Sequence, residues 1–338
     1  MTNFNDFLHA RAGAPHFFRK LRLGQPVKVV AFGTSMSHDG YYLSRLVSSL
    51  SAAFDRTPIS LEVIGLRASS VVWAPFHIDR VIAEAPDFVL LEFSINDNFM
   101  ADEMTQHIQW AMRSMIDRIN AAYPDCDFLH VYFAVPGEAA SGPTTAINAH
   151  EVIARLYDNP SIDLAQYSES LLKDGLATWH GPRALTHDGI HHTLLAAEMI
   201  AQPFAGACVS LVAQSGTVKA LPPGTETAYH RAGRTSIRAL PHTGDAWEFG
   251  PPRDTMNGAW SIAAFVDEIA IAVKPGAAFH LVYTGTELFL WIYTDGGRLK
   301  LTLDGREQFI DIPVEANPQF RTFSFAFPDG NNDLRCRL

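Results

Sequence analysis

Val27-Lys28-Val29-Val30-Ala31-Phe32-Gly33-Thr34-Ser35-Met36-Ser37 is the stretch from which the fold is read. Its first six residues are almost continuously apolar and rich in β-branched side chains, as a strand covered on both faces must be. Gly33-Thr34-Ser35 breaks the run, and a helical period begins a few residues later. A strand that turns into a helix is the first half of a βαβ unit. The pattern repeats to about residue 205, with further strands predicted over 61–64, 88–93, 128–133 and 162–164. Between them, Leu43, Leu46, Val47, Leu50 and Phe54 mark one buried helical face, and Met104, Ile108, Met112, Met115 and Ile119 mark another. A last helix over 193–204 closes the set. The fold class is α/β, a five-stranded parallel sheet in a three-layer α/β/α arrangement.

Residues 1–26 are expected to be a helical extension packed on this domain, which itself spans 27–213. Over 214–224 the helical period stops and turn formers accumulate, from Gln214-Ser215-Gly216 to Pro222-Pro223-Gly224, so a linker is predicted. A different grammar fills 225–338. Leu299-x-Leu301-x-Leu303, Phe323-x-Phe325-x-Phe327 and Leu334-x-Cys336-x-Leu338 alternate with period two. Asp295-Gly296-Gly297, Asp304-Gly305 and Asp329-Gly330 punctuate them as hairpin signals. An all-β sandwich, jelly-roll-like, is expected there.

Composition narrows the function classes. The net charge is −10 and Lys and Arg are not clustered, apart from Arg19, Lys20 and Arg22, so a nucleic-acid partner is not expected. Three cysteines without C-x-x-C spacing indicate neither a disulfide framework nor a thiolate zinc site. No run reaches the ~20 apolar residues of a membrane helix. The expectation is a soluble chain, cytoplasmic as it stands, or exported if a signal peptide has been removed; the oligomeric state is open.

Ligands of open α/β sheets bind in the crevice beyond the carboxyl ends of the strands, and the first strand delivers Ser35 there. A serine hydroxyl becomes a nucleophile when a base takes its proton and an acid orients that base. Thr186-His187-Asp188-Gly189-Ile190-His191-His192 offers both, and the three-residue spacing makes Asp188 the orienting acid and His191 the base. A register with His192 as base is the alternative. An oxyanion needs converging donors. Asn96, at the end of Glu92-Phe93-Ser94-Ile95-Asn96-Asp97, the N–H of Gly65 and the N–H of Ser35 are the candidates.

These blocks resemble the SGNH (GDSL-type) hydrolase family over residues 27–205. Gly33-Thr34-Ser35 stands where the family has Gly-Asp-Ser, Gly65 at its second block, Asn96-Asp97 at Gly-x-Asn-Asp, and Asp188-Gly189-Ile190-His191 at Asp-x-x-His. The resemblance implies a flavodoxin-like fold, no metal or other cofactor, and acyl-ester hydrolysis or acyl transfer through an acyl-serine. The sequence departs from the family at Thr34 for Asp, at Ser94 for Gly, and in lacking an Asn before Gly65. Phe17 through Ser35 and the Leu91 to Asp97 run are most similar to the branch acting on carbohydrate O-acyl groups. An acylated saccharide or another small ester is the implied partner.

Other readings remain at this stage. His187-Asp188-x-x-His191-His192 also has the composition of a zinc site. A saccharide acyltransferase needs the same triad, and a non-catalytic carbohydrate-binding protein would place the function in the β domain. Trp179 and His180, in Trp179-His180-Gly181-Pro182, and Asp97 are candidate substrate contacts, with the 136–143 loop also overhanging the crevice. Glu92 is expected in a strand-end ion pair, a buried acid of shifted pKa being the alternative. Trp260, Tyr283, Trp291 and Tyr293 offer a sugar-stacking platform, although half the aromatics of alternating strands face the core.

Overall fold

The computed structural model describes residues 4–38, 40–99, 101–211, 228–233, 236–250, 269–272, 276–284, 287–294, 297–303, 305–312, 319–326 and 331–337. Contacts divide the chain into two compact units, Met1–Gly233 and Arg234–Leu338.

The first unit opens with a 3₁₀ turn (Phe4–Phe7), a two-residue strand β1 (Leu8–His9) and helix α1 (Pro15–Arg22). Strand β2 (Val27–Gly33) leads into α2 (Ser35–His38) and α3 (Tyr41–Ala53). After β3 (Ile59–Gly65), a 3₁₀ segment (Val71–His77) runs into α4 (Ile78–Ala83). Then come β4 (Phe88–Glu92), α5 (Ser94–Asp97), α6 (Ala101–Ala122) and β5 (Asp127–Tyr132). The unit continues through α7 (Thr145–Leu156), β6 (Ser161–Asp163), α8 (Leu164–Lys173) and α9 (Leu194–Ser210).

All five predicted strands are present. The sheet order is β1-β6-β5-β4-β2-β3, with β2 to β6 parallel. Among the parallel strands, in chain order, this is the 2-1-3-4-5 order of flavodoxin-like folds, and the switch point lies between β2 and β4. The core follows from the alternation of side chains across each strand. Val29, Ala31, Leu90, Leu129 and Val131 join one cluster with Phe17 and Phe18 of α1, Leu43 and Leu46 of α3, and Ile200 and Phe204 of α9. Val30, Phe32, Val89 and Leu91 point the other way and are equally buried, on the side of α4, α6 and α7.

Two expectations change. The N-terminal segment is not purely helical, because Leu8 and His9 pair antiparallel with Ile162 and Ser161 and add an edge strand. Two residues are too few to show a period, so only the partner strand reveals it. The last helix runs past Phe204 to Ser210 with Pro203 in its interior. Two cations of the basic cluster of α1 are paired, Lys20 with Asp87 and Arg19 with Asp125 at 3.8 Å. Cys126 and Cys208 are buried and not joined in a disulfide.

The predicted linker over 214–224 lies outside the described residues. Just beyond it, residues 228–231 return to α6, where Tyr229 Oη meets His107 Nδ1 at 2.9 Å and His230 Nε2 meets Asp117 Oδ2 at 2.8 Å. These contacts put the division between the units at 233 rather than at 224.

The second unit contains β7 (Trp247–Gly250), β8 (Ile269–Ala272), β9 (Ala278–Thr284) and β10 (Glu287–Thr294), then β11 (Gly297–Leu303), β12 (Arg306–Ile312), β13 (Gln319–Ala326) and β14 (Asn331–Arg337). The described strands pair antiparallel throughout, as β12-β11-β14-β9, β10-β13 and β7-β8. Of the three predicted hairpins, the described strands show one, β11 pairing with β12 across position 304. The connections at 295–296 and 327–330 instead carry the chain from one sheet to another. Turn chemistry specifies that the chain bends, and side-chain burial selects the partner strand. Trp247, Phe279, Leu299 and Leu301 form the unit's core cluster. Trp260 lies outside the described residues, as do the side chains of Tyr283, Trp291, Tyr293 and Cys336.

Candidate active site

Ser35 is the first residue of α2, just after strand β2, and is buried. Its Oγ lies 2.8 Å from His191 Nε2. His191 Nδ1 lies 2.6 Å from Asp188 Oδ2, so the imidazole spans acid and hydroxyl with one nitrogen on each.

The segment carrying Asp188 and His191 is closed on itself. His187 N–H donates to the His191 carbonyl at 3.0 Å, and Gly189 takes φ +92°, a left-handed conformation that glycine adopts without strain. Within this turn Asp188 Oδ1 accepts from the N–H groups of Ile190 (2.9 Å) and His191 (2.8 Å). The turn is anchored to α9 by Thr193, whose Oγ1 accepts from Ala196 N and donates to the Ala184 carbonyl. Partial burial disfavours the charged form of Asp188, but the hydrogen bonds from the His191 ring and the two backbone N–H groups outweigh it and hold the carboxyl well below the usual range. Asp188 is therefore a fixed anion facing the imidazole.

His192 does not compete for the role of base. Its ring lies edge-on to Phe133, with centroids 4.8 Å apart, and burial together with the neighbouring His191 lowers its pKa to about 3. His187 stacks on His191 at 5.8 Å and is exposed. His187, Asp188 and His191 place three possible ligand atoms within 4.8 Å. A metal there would have to displace the Asp188 contact or the Ser35 contact of His191, because both ring nitrogens are engaged.

Asn96 lies on α5, immediately beyond β4, and its Nδ2 donates to the Ser69 carbonyl at 3.2 Å. The loop after β3 that meets Asn96 is thus residues 66–70, with Ala68 at φ +50°. Gly65 itself lies in β3, paired with Gly33. A Cβ on Gly65 would stand 2.4 Å from the Cβ of His38, so its missing side chain makes room for α2 rather than for a ligand. The other expected contacts divide. His180 is exposed, while Trp179 is half-buried against the core. Asp97, expected to touch substrate, is instead fully buried: Oδ1 accepts from Val71 N at 2.9 Å and Oδ2 lies 2.6 Å from His150 Nε2. Its carboxylate is taken up inside the protein, tying the loop after β3 to α7.

One contact was not read from the sequence. Glu138 in the 136–143 loop accepts from Asn98 Nδ2 at 2.6 Å and links that loop to the end of α5. Glu92, expected in a strand-end ion pair, makes none among the described residues and instead follows the alternative reading, a buried acid bonded to Thr34 and Ser37. A lone charge in an otherwise apolar strand was the only signal for it.

No family model and no curated protein matches the chain. Solved structures do. A two-domain esterase active on acetylated mannans superposes with a TM-score of 0.74 at 13% identity, covering 98% of this chain and 93% of that one. The same kind of esterase co-crystallised with mannopentaose gives a TM-score of 0.76 at 14% identity, covering 100% and 93%. A peptidoglycan O-acetylesterase gives 0.50 at 9% identity, covering 61% of this chain and 99% of its own. At these identities the likeness is one of fold, and the fold is shared along nearly the whole chain with the two-domain esterase. This chain likewise consists of an α/β unit and a unit of antiparallel β-strands.

Proposed function

We propose that the protein is a serine carboxylic-ester hydrolase that removes small O-acyl groups, chiefly acetyl, from a saccharide. The observation that carries this reading is the unbroken line from Asp188 Oδ2 through His191 to Ser35 Oγ, with contacts of 2.6 and 2.8 Å. Likeness of fold to esterases acting on acetylated mannans supports the saccharide.

In this mechanism Ser35 Oγ attacks the ester carbonyl carbon while His191 Nε2 takes its proton, and Asp188 stabilises the imidazolium that forms. Asn96 and the Ser35 N–H stabilise the charge on the carbonyl oxygen. We place the remaining donor at the end of β3, at Gly65 or in the 66–70 loop that Asn96 contacts. The tetrahedral intermediate collapses to acyl-Ser35, and His191 gives its proton to the departing sugar oxygen. Water, deprotonated by His191, then attacks the acyl-serine, and carboxylate and free enzyme result.

A fluorophosphonate reports on this directly. It should label Ser35 of the wild type and leave Ser35→Ala unlabelled, and acetylated mannan or xylan should release acetate. A wild type that neither labels nor hydrolyses p-nitrophenyl acetate overturns the proposal. Transfer of acetyl to an added sugar, at the expense of free acetate, would make it an acyltransferase instead.

A further inference from the structure

Glu92 ends β4 directly beside the turn that carries Ser35, and its side chain is enclosed. One oxygen, Oε2, is the common acceptor for three donors: Thr34 Oγ1 at 2.9 Å, Thr34 N at 3.1 Å and Ser37 Oγ at 3.1 Å. The donors stand on either side of Ser35 in the chain. Thr34 Oγ1 also accepts from Met36 N at 3.2 Å, so the same side chain ties the first turn of α2. Gly33 makes the approach possible, because a Cβ there would fall 2.3 Å from Ser37 Oγ and 2.9 Å from Glu92 Oε2.

We propose that Glu92 is a positioning residue for the nucleophile: by holding Thr34 and Ser37 together, it fixes the turn that aims the Ser35 hydroxyl at His191. The proposal rests on Ser35 being the nucleophile. It also accounts for Thr34, which stands where the resembling family has Asp. A carboxylate at 34 would face the Glu92 carboxyl, whereas a threonine supplies the hydroxyl that Glu92 accepts.

The protonation state follows from the surroundings. Burial raises the Glu92 pKa to about 8; the Thr34 and Ser37 hydrogen bonds oppose the rise and the Asp97 charge adds to it. The titratable groups acting on it are Asp97 of α5, itself paired with His150 of α7, and Tyr42 of α3. At neutral pH the acid is uncharged, and it keeps its contacts because the two hydroxyls can accept as well as donate. Above about pH 8 it becomes an anion close to the site where the attacked carbonyl oxygen gains negative charge, and the two charges oppose each other.

The test is the rate of fluorophosphonate labelling of Ser35 between pH 6 and 9.5, for the wild type, Glu92→Gln, Glu92→Leu and Thr34→Val. The wild-type rate should fall above about pH 8, and Glu92→Gln, neutral throughout, should keep a near wild-type rate without that fall. Glu92→Leu and Thr34→Val should be slower at pH 7 by about tenfold or more, as expected for a misplaced reacting group. If Glu92→Leu does not fold, Thr34→Val, which loses one hydroxyl, decides the matter. Labelling of Thr34→Val within twofold of wild type, or an alkaline fall retained in Glu92→Gln, overturns the proposal while leaving the hydrolase reading intact. A wild type that does not label overturns both.

Discussion

His191 Nε2 stands 2.8 Å from Ser35 Oγ although 156 residues separate them in the chain. Groups that act as one unit lose their function together, so their removals do not add. Ser35→Ala and His191→Ala should each lower kcat by about 10³-fold or more, and the double variant should be no worse than about threefold below either. Steady-state hydrolysis of p-nitrophenyl acetate measures this; losses that multiply would mean that the two residues act independently.

Asp188 is held as an anion by three donors, including the His191 ring. Asp188→Asn keeps the shape but presents a donor or a neutral acceptor to Nδ1, which unsettles the imidazole tautomer that His191 needs as a base. A fall in kcat of about 10²-fold or more is expected, with KM little changed.

In the proposed mechanism Asn96→Ala removes an oxyanion donor, together with the bond to the Ser69 carbonyl. It should cost about 10²–10³ in kcat and leave KM nearly unchanged. A rise in KM alone would show that Asn96 binds substrate rather than the oxyanion.

Gly65→Ala separates packing from catalysis. The added Cβ meets the Cβ of His38 at 2.4 Å, and overpacking of this kind costs about 1–3 kcal/mol. Thermal unfolding should show a clearly lower Tm. An unchanged Tm would show that α2 yields to the added methyl group without cost.

Glu92 also leaves a signature in stability. Its pKa is raised in the folded protein to about 8, against 4.5 as the reference for the unfolded chain. The folded state therefore holds the proton more tightly. Its contribution is fully present below about pH 4.5 and is lost as pH rises toward about 8. The Tm of the wild type relative to Glu92→Gln should fall across that window and level off above it. His192, lowered to about 3, acts in the opposite sense and weakens the fold as pH drops below about 6.5. Melting curves of both proteins from pH 4 to 9 resolve the two slopes.

Much of this molecule is dictated locally. The apolar run of β2, the period of the helix faces and the Gly-Thr-Ser turn specify a parallel α/β sheet, because alternation and helical period are properties of neighbouring residues. The Asp188-x-x-His191 turn is equally local, since Gly189 and two backbone N–H groups bring carboxylate and imidazole together within four residues. What the chain could not show by itself are relations across the fold. The edge strand Leu8–His9, the buried Asp97–His150 pair, the meeting of Asn96 with the 66–70 loop, and the sheet changes in the β unit all join segments far apart in sequence. Ser35, Thr34 and Glu92 sum up the difference. Sequence marks Ser35 through the turn in which it sits. Whether Glu92 is an exposed ion or an enclosed hydrogen-bond acceptor is decided only when β2 and β4 lie side by side and exclude water from its carboxyl group.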